Sequence, residues 1–234
     1  PTLNEIIEEL DAGILDERVQ SDSPCYLMLA LNTKKGVLRR LDLEGTLQSS
    51  VGVLGSPSLP VPPISIALDF PGNIYAIMIS YKSGGEVPKM IRKFSPTGDE
   101  LLAFGAYGLK VGELLNPVSL SISPISQEIY VLDGETCLVQ RFNTDGEYLG
   151  KFGGAGSGKG AFSDPRLIAA GYDDCVYVLD YGNRQVQKFD HEGKYLSRFA
   201  FKVSKDDSEL RQLDGLGIDS RAGSTSRKCP SLSV

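Results

Sequence analysis

The stretch from residue 154 to residue 199, GAGSGKGAFSDPRLIAAGYDDCVYVLDYGNRQVQKFDHEGKYLSRF, decides the fold because its parts recur along the chain. Its segment QKFDHEGKYL has three counterparts, RRLDLEGTL, RKFSPTGDEL and QRFNTDGEYL. Each places an apolar residue four positions before a glycine, at Leu41, Phe94, Phe142 and Phe189. These residues are separated by 53, 48 and 47 positions, which indicates an array of similar structural units.

Each unit carries the signals of four short strands. The runs LMLAL, NIYAIMI, EIYVLD and CVYVLD precede the apolar residue, and another apolar run follows Pro63, Pro117 and Pro165. We predict one strand after the proline, one at the tyrosine, one ending at the phenylalanine and one after the glycine, which suits a tight hairpin. LDGLGID, from Leu213, is the opening run of a fifth unit. Four-stranded units repeated every 40 to 50 residues or so are typical of β-propeller blades, so the predicted fold is all-β.

The same stretch resembles an NHL repeat. The resemblance rests on the glycine-rich connection, Pro165, the Y-V-x-D run, N-R-x-V-Q-K-F and D-x-x-G. The unit from 117 to 152 is similar, although GETCLVQRF departs from the Asn-Arg part, and the units near 63 and 25 match less well. The resemblance covers residues 25 to 220 and implies a β-propeller of four-stranded NHL-like blades. NHL propellers have more blades than the four units recognised here, so we expect an incomplete or open ring, as a fragment or with its ends covered by a partner or a second copy.

We divide the chain into three parts on this basis. Residues 1–22 are predicted to form an acidic amphipathic helix and linker, residues 23–220 the blades, and residues 221–234 an irregular or disordered tail. The tail, STSRKCPSLSV after Gly223, is polar and lacks the alternation of a strand.

The N-terminal helix is predicted from a capping box and a stripe of apolar residues. Thr2 and Glu5 fit the capping box. The stripe contains Leu3, Ile6, Ile7, Leu10 and Ile14. Two interpretations remain open: the helix packs on its own propeller, or it docks into a groove of a partner. The segment up to residue 24 holds seven acids and one base, whereas the remaining 23 acids and 23 bases balance.

A charge-balanced body carries no electrostatic signal for a polyanion. One basic series nevertheless recurs, since Arg40, Lys93, Arg141 and Lys188 each precede the apolar residue that ends the third strand. We interpret their aliphatic stems as packed between blades with the charge reaching outward. Some NHL propellers bind single-stranded RNA, which makes RNA binding the alternative function, although the chain has no tryptophan for base stacking.

The stretch GGAGSGKGAF, residues 153 to 162, fits the first seven positions of the phosphate-binding pattern G-x-x-x-x-G-K-[ST]. Position 160 is glycine, however, and the aligned copy FGAYGLKVGELLNP has Val111 where this segment has Lys159. We therefore predict a connection between repeats, and no nucleotide or other cofactor.

Catalytic and metal-binding residues are not predicted. The four cysteines, Cys25, Cys137, Cys175 and Cys229, lie far apart, and free thiols in a reducing compartment are favoured over a disulfide. His191 is the single histidine, whereas an NHL-like lyase holds zinc with three, so a lyase or lactonase-type enzyme is the less favoured alternative. Asp133 and Asp180 recur after Y-V-L, which indicates that they cap backbone groups in each blade.

The favoured function is a protein-binding or scaffold module, a subunit or accessory factor of a larger assembly. Its contact surfaces are predicted to be the N-terminal helix and two rim loops, 79–90 and 153–164. The predicted contact residues are Leu3, Ile6, Ile7, Leu10, Ile14, Tyr81, Lys82, Lys89 and Lys159. Open blade edges also predict self-association. No apolar run is long enough to span a bilayer, and we expect a soluble protein, intracellular or within an organelle, with any targeting segment removed.

Overall fold

The computed structural model describes residues 63–78 and 89–201 and, elsewhere, the backbone of five short strands. The chain divides into two compact units, residues 1–63 with 96–99 and residues 64–95 with 100–234. In the first unit, β1 (Met28–Asn32), β2 (Val37–Leu41) and β3 (Leu47–Val51) form an antiparallel sheet in that order.

The second unit contains three four-stranded antiparallel sheets, in each of which consecutive strands are neighbours. Sheet I consists of β4 (Ser65–Leu68), β5 (Ile74–Ile77), β6 (Lys89–Phe94) and β7 (Glu100–Ala106). Sheet II consists of β8 (Pro117–Ile122), β9 (Ile129–Asp133), β10 (Leu138–Phe142) and β11 (Tyr148–Gly153). Sheet III consists of β12 (Pro165–Ala170), β13 (Cys175–Asp180), β14 (Gln185–Asp190) and β15 (Tyr195–Ala200).

The predicted strand order is confirmed in all three sheets. The first strand begins at the proline or two residues after it, and the second contains the buried tyrosine. The third ends at the phenylalanine or, in sheet III, one residue after it, and the fourth follows the glycine. The prediction of a rim loop over 79–90 was wrong at its end. Lys89 begins β6, because its backbone pairs with Ala106 in the ladder with β7.

Two short strands follow sheet III. β16 (Gly217–Ile218) lies in the predicted opening run of the fifth unit, pairs antiparallel with β17 (Leu232–Ser233) and lies beside β12. β17 falls in the segment predicted as an irregular tail. The described residues contain no helix and therefore no helix that could span a membrane. The predicted N-terminal helix lies outside the described residues.

The first strands of the three sheets lie side by side. Ser119 Oγ accepts a hydrogen bond from Ile168 N at 3.2 Å, and Ser121 Oγ accepts one from Ala170 N at 3.0 Å. Because the contact advances by two residues along both strands, β8 and β12 run parallel. The loops after β8 and β12 therefore lie at one end of the sheets. The loop after β4 lies at the same end, because Phe70 N donates to Gln127 Oε1 in the loop after β8. We call this the hairpin end.

The core fills the space between neighbouring sheets. Phe104 of sheet I packs on Phe142 of sheet II with ring centroids 5.2 Å apart, and Phe152 of sheet II packs on Phe189 of sheet III at 4.8 Å. These contacts join the fourth strand of one sheet to the third strand of the next. The repeated phenylalanines Phe142 and Phe189 therefore hold neighbouring sheets together.

Candidate functional site

The two recurring aspartates cap backbone groups, as the sequence predicts. Asp133 is fully buried and accepts hydrogen bonds from four backbone N–H groups, those of residues 115, 116, 135 and 136, at 2.7 to 3.3 Å. Asp180 accepts from the backbone of Ser163 and Asp164 and from the side chain of Asn183. Both carboxylates thus fix the connection that leads into their own sheet.

The glycine-rich connection between sheets II and III bonds to itself. Phe162 N donates to the Gly154 carbonyl and Gly156 N donates to the Phe162 carbonyl, both at 2.8 Å. Gly160 N donates to Gln187 Oε1 at 2.9 Å. Strand β12 follows it, where a phosphate-binding loop would lead into a helix. The prediction of a connection between repeats is confirmed.

A tyrosine and a cation link sheet I to sheet II. The Tyr75 hydroxyl lies 3.3 Å from Asp69 Oδ2 and 3.3 Å from the carbonyl of Thr144, in the turn between β10 and β11. Lys93 Nζ donates to the same carbonyl at 3.0 Å and lies 5.2 Å from the Tyr75 ring centre. Burial, reinforced by Asp69, raises the pKa of Tyr75.

Sheet II repeats this arrangement toward sheet III. The Tyr130 hydroxyl lies 3.1 Å from the carbonyl of His191, in the turn between β14 and β15. Arg141 donates two hydrogen bonds to the Glu128 carboxylate, at 2.9 and 3.1 Å, and one to the Glu192 carbonyl at 3.3 Å. Burial, reinforced by Glu128, raises the pKa of Tyr130.

Sheet III also has a tyrosine and a basic side chain at this place, and both contact Asp173. Asp173 Oδ2 accepts from Lys188 Nζ at 2.8 Å and from the Tyr177 hydroxyl at 2.7 Å. Burial alone would raise the pKa of Asp173, but these two hydrogen bonds outweigh it and lower the pKa. Burial and the Asp173 charge raise the pKa of Cys175 to about 11. Burial above all raises the pKa of Tyr177 to about 12.

These contacts correct one expectation about the basic series. Lys93, Arg141 and Lys188 were expected to direct their charges outward, yet each head group binds an acid or a carbonyl. Their half-buried position makes such a partner necessary, because an unpaired charge away from water is costly. The side chain of Arg40 lies outside the described residues.

Ser123, Asp174 and His191 lie together at the hairpin end. Ser123 Oγ lies 3.4 Å from Asp174 Oδ1, and His191 Nδ1 lies 3.4 Å from Asp174 Oδ2. The carboxylate stands between serine and histidine, whereas a nucleophilic triad needs the imidazole in that place to take the serine proton. Ser123 Oγ also accepts hydrogen bonds from the backbone of Ile125 and Ser126, which gives it a role in the loop. In residues 63–78 and 89–201, no three His, Cys, Asp or Glu side chains are grouped to hold a metal.

An apolar row marks the hairpin end. Phe70, Ile125 and Tyr172 are 90%, 57% and 51% exposed and lie in the loops after β4, β8 and β12. Each is five residues before the buried tyrosine of its unit. Sequence reasoning missed these residues, although that constant offset was visible. We call this set the loop row.

A second exposed group lies in the connection between sheets I and II. Tyr107, Leu109 and Val111 are 51%, 78% and 74% exposed. The equivalent positions between sheets II and III hold Ala155, Ser157 and Lys159. We call residues 107–111 the apolar connection.

Most predicted contact residues lie outside the described part of the chain. These are Leu3, Ile6, Ile7, Leu10, Ile14, Tyr81 and Lys82. Lys89 is exposed at the start of β6, and Lys159 is exposed in the connection, with its ammonium 6.0 Å from the Tyr195 ring centre. No described contact brings Lys89 and Lys159 together. Their role in binding remains a prediction.

The comparisons with solved structures concern the fold. A streptogramin B lyase matches with a TM-score of 0.51 at 12% identity, over 78% of this chain and 57% of that chain. The chain has a β-propeller fold. Weaker matches are a virginiamycin B lyase from Staphylococcus aureus (TM-score 0.49, 15% identity, 78% of this chain and 58% of that one) and a nidogen/laminin complex (TM-score 0.48, 17% identity, 74% and 59%). The propeller chain thus spans less than two thirds of the structures it matches.

No protein-family model matches the propeller chain, and no curated protein matches it. At such low identities the structural similarity describes the fold alone, because one fold hosts many functions.

Proposed function

We propose that the chain is a non-catalytic protein-binding module, an NHL-like propeller that acts as a subunit or accessory factor of a larger assembly. The observation that carries the proposal is the apolar connection. The residues that recur in the three described sheets have packing or capping roles, so a feature present in one connection and absent from the next points to a function beyond the fold.

Hydrogen bonds within the loop hold the side chains of the apolar connection in exposed positions. Gly108 N donates to the Leu114 carbonyl at 3.0 Å, Leu114 N donates to the Ala106 carbonyl at 2.8 Å, and Lys110 N donates to Glu113 Oε2 at 2.8 Å. A loop held in this way loses little conformational entropy when it binds a partner. Clustered exposed apolar side chains on such a base are typical of protein contact sites.

The contacts of the basic series weaken the case for RNA binding. Lys93, Arg141 and Lys188 would have to leave their acid or carbonyl partners before they could bind phosphate. The order of groups in the Ser123–Asp174–His191 cluster likewise gives no support to nucleophilic catalysis. Protein binding needs neither rearrangement.

The test replaces the apolar connection by the residues of its counterpart. The variant Tyr107→Ala/Leu109→Ser/Val111→Lys is compared with wild type and with Ala155→Ser/Ser157→Ala, a change at two matched exposed positions of the other connection that leaves Lys159 in place. Each tagged chain is incubated with an extract of its source cells, and bound proteins are quantified by mass spectrometry. Circular dichroism checks that all three chains are folded.

We expect a set of proteins retained by wild type and by the control variant, and lost from the variant of the apolar connection. Retention of the same set by all three folded chains would contradict the proposal. So would a wild-type chain that retains nothing beyond the tag alone.

A further inference from the structure

The loop row forms a second surface, at the hairpin end, that the apolar connection does not explain. We propose that it binds a basic, apolar segment of a partner protein, one in which lysine or arginine residues alternate with large apolar residues. The proposal rests on the continuity of the row, the rigidity of its loops and the charge around it.

The three loops are neighbours across the sheets. Phe70 N donates to Gln127 Oε1 at 2.7 Å, which joins the loop after β4 to the loop after β8. Ser123 and Asp174 join the loop after β8 to the loop after β12. Phe70, Ile125 and Tyr172 therefore belong to one continuous surface.

The loops hold these side chains out by their own hydrogen bonds. Asp69 accepts hydrogen bonds from the backbone and side chain of Asn73, at 2.7 and 2.8 Å. Gln127 Nε2 donates to the Ser123 carbonyl at 3.0 Å, across the loop that carries Ile125. The apolar exposure is thus part of the folded structure, and a partner would meet a preformed surface.

Acidic side chains lie in two turns beside the row. Asp145 and Glu147, in the turn between β10 and β11, and Glu192, in the turn between β14 and β15, are exposed and form no ion pair with the described residues. The first turn reaches Tyr75 through its Thr144 carbonyl, and the second reaches Asp174 through His191. Both turns therefore lie at the hairpin end, beside the row.

The basic groups at this end offset these acids only in part. Lys93, Arg141 and Lys188 are engaged with acids or carbonyls, which leaves Lys194 as the exposed lysine of the second turn. An apolar row with an acidic border is complementary to a segment that is apolar and basic. The same border repels the phosphates of a nucleic acid.

The probe is a short fluorescein-labelled peptide of alternating leucine and lysine, titrated with the 234-residue chain and followed by fluorescence anisotropy. A leucine–glutamate peptide tests the charge, and a serine–lysine peptide tests the apolar part. We expect both to bind about tenfold more weakly than the leucine–lysine peptide, because the surface recognises the two features together.

Three variants distinguish binding at the loop row from nonspecific binding of the peptide elsewhere on the protein. Phe70→Ser/Ile125→Ser/Tyr172→Ser removes the row. Asp145→Asn/Glu147→Gln/Glu192→Gln removes the acidic border. The matched control, Leu101→Ser/Leu149→Ser/Leu196→Ser, removes three exposed leucines, 54%, 45% and 46% accessible, at equivalent positions of the fourth strands.

We expect the row variant to weaken binding about tenfold and the control to leave it unchanged. The charge variant should weaken binding at about 0.05 M salt and have little effect at about 0.5 M, where screening removes most of the attraction. Equal losses in the row and control variants would overturn the proposal, as would equal affinity for the leucine–glutamate peptide. Preferential binding of a labelled single-stranded RNA at this surface would also overturn it.

Discussion

Replacing one of the repeated turn glycines by alanine tests whether close packing at that turn holds neighbouring sheets together. Gly146 has a φ of +77°, and an added Cβ would lie 2.8 Å from Cγ and 2.9 Å from Cδ1 of Phe104 in sheet I. The positive φ costs alanine about 1 to 2 kcal/mol, and overpacking against the ring adds about 1 to 3 kcal/mol. We expect Gly146→Ala to lower the free energy of unfolding by about 2 to 5 kcal/mol.

Two other glycines separate these contributions. Gly154 has a φ of +128° with nothing within 4 Å of an added Cβ, so Gly154→Ala incurs the backbone strain alone. Gly158 has neither a positive φ nor a neighbour within 4 Å. Gly158→Ala should leave stability unchanged or raise it by about 0.4 to 1 kcal/mol, since alanine restricts the unfolded chain.

Urea unfolding followed by far-UV circular dichroism measures the series, with thermal melting as the second probe. The expected order of stability is Gly158→Ala, wild type, Gly154→Ala and Gly146→Ala, from highest to lowest. For a chain of this size, a loss of 1 kcal/mol lowers the melting temperature by about 2 to 4 °C. If Gly146→Ala were no less stable than Gly154→Ala, the close packing of the turn against Phe104 would not be limiting, and the reasoning would fail.

Three further predictions follow from the buried polar groups. Asp133→Ala leaves four backbone N–H groups without their acceptor and should destabilise the protein by at least about 3 kcal/mol in urea unfolding, and a loss below about 1 kcal/mol would contradict the capping role. The pKa of Asp173 is lowered in the folded protein, so the ionised carboxylate stabilises the fold. This stabilisation is present above the unfolded pKa of about 4 and is lost as the pH falls through the pKa of the folded state. Asp173→Asn should therefore melt below wild type at pH 7, with the gap narrowing below about pH 4, and a constant gap would refute the linkage. The raised pKa values of Cys137 and Cys175 predict slow alkylation by iodoacetamide at about pH 8 in the folded protein and rapid alkylation in urea, measured by peptide mass spectrometry, and equal rates would contradict it.

The sequence predicted the strands well because their signals are local. A proline, a tyrosine, a phenylalanine and a glycine recur at similar spacings in each unit. The proline lies at or just before the start of a strand, the tyrosine lies in a buried strand, the phenylalanine lies at or next to the end of a strand, and the glycine lies in a turn. The start of β6 was missed because Lys89 follows a longer insertion, where pairing with β7 decides the boundary.

The candidate site was predicted less well, since exposure depends on how neighbouring loops assemble. Lys159 was chosen for its position in a glycine-rich loop, whereas Phe70, Ile125 and Tyr172 are scattered in sequence. They form a row only because β4, β8 and β12 lie side by side. The aspartate caps were foreseen because a repeated polar residue after a buried strand has a local task.

The sequence by itself determined the four-strand unit, its repetition and the capping role of Asp133 and Asp180, because each depends on residues within one unit or its entering connection. The tertiary structure decided which charges are paired and which apolar side chains stay exposed. Lys93 and Arg141 find carbonyl partners in the turn of the next sheet, in each case 51 residues away in the chain. Such contacts follow from the packing of one sheet on another, which the local pattern of residues does not encode.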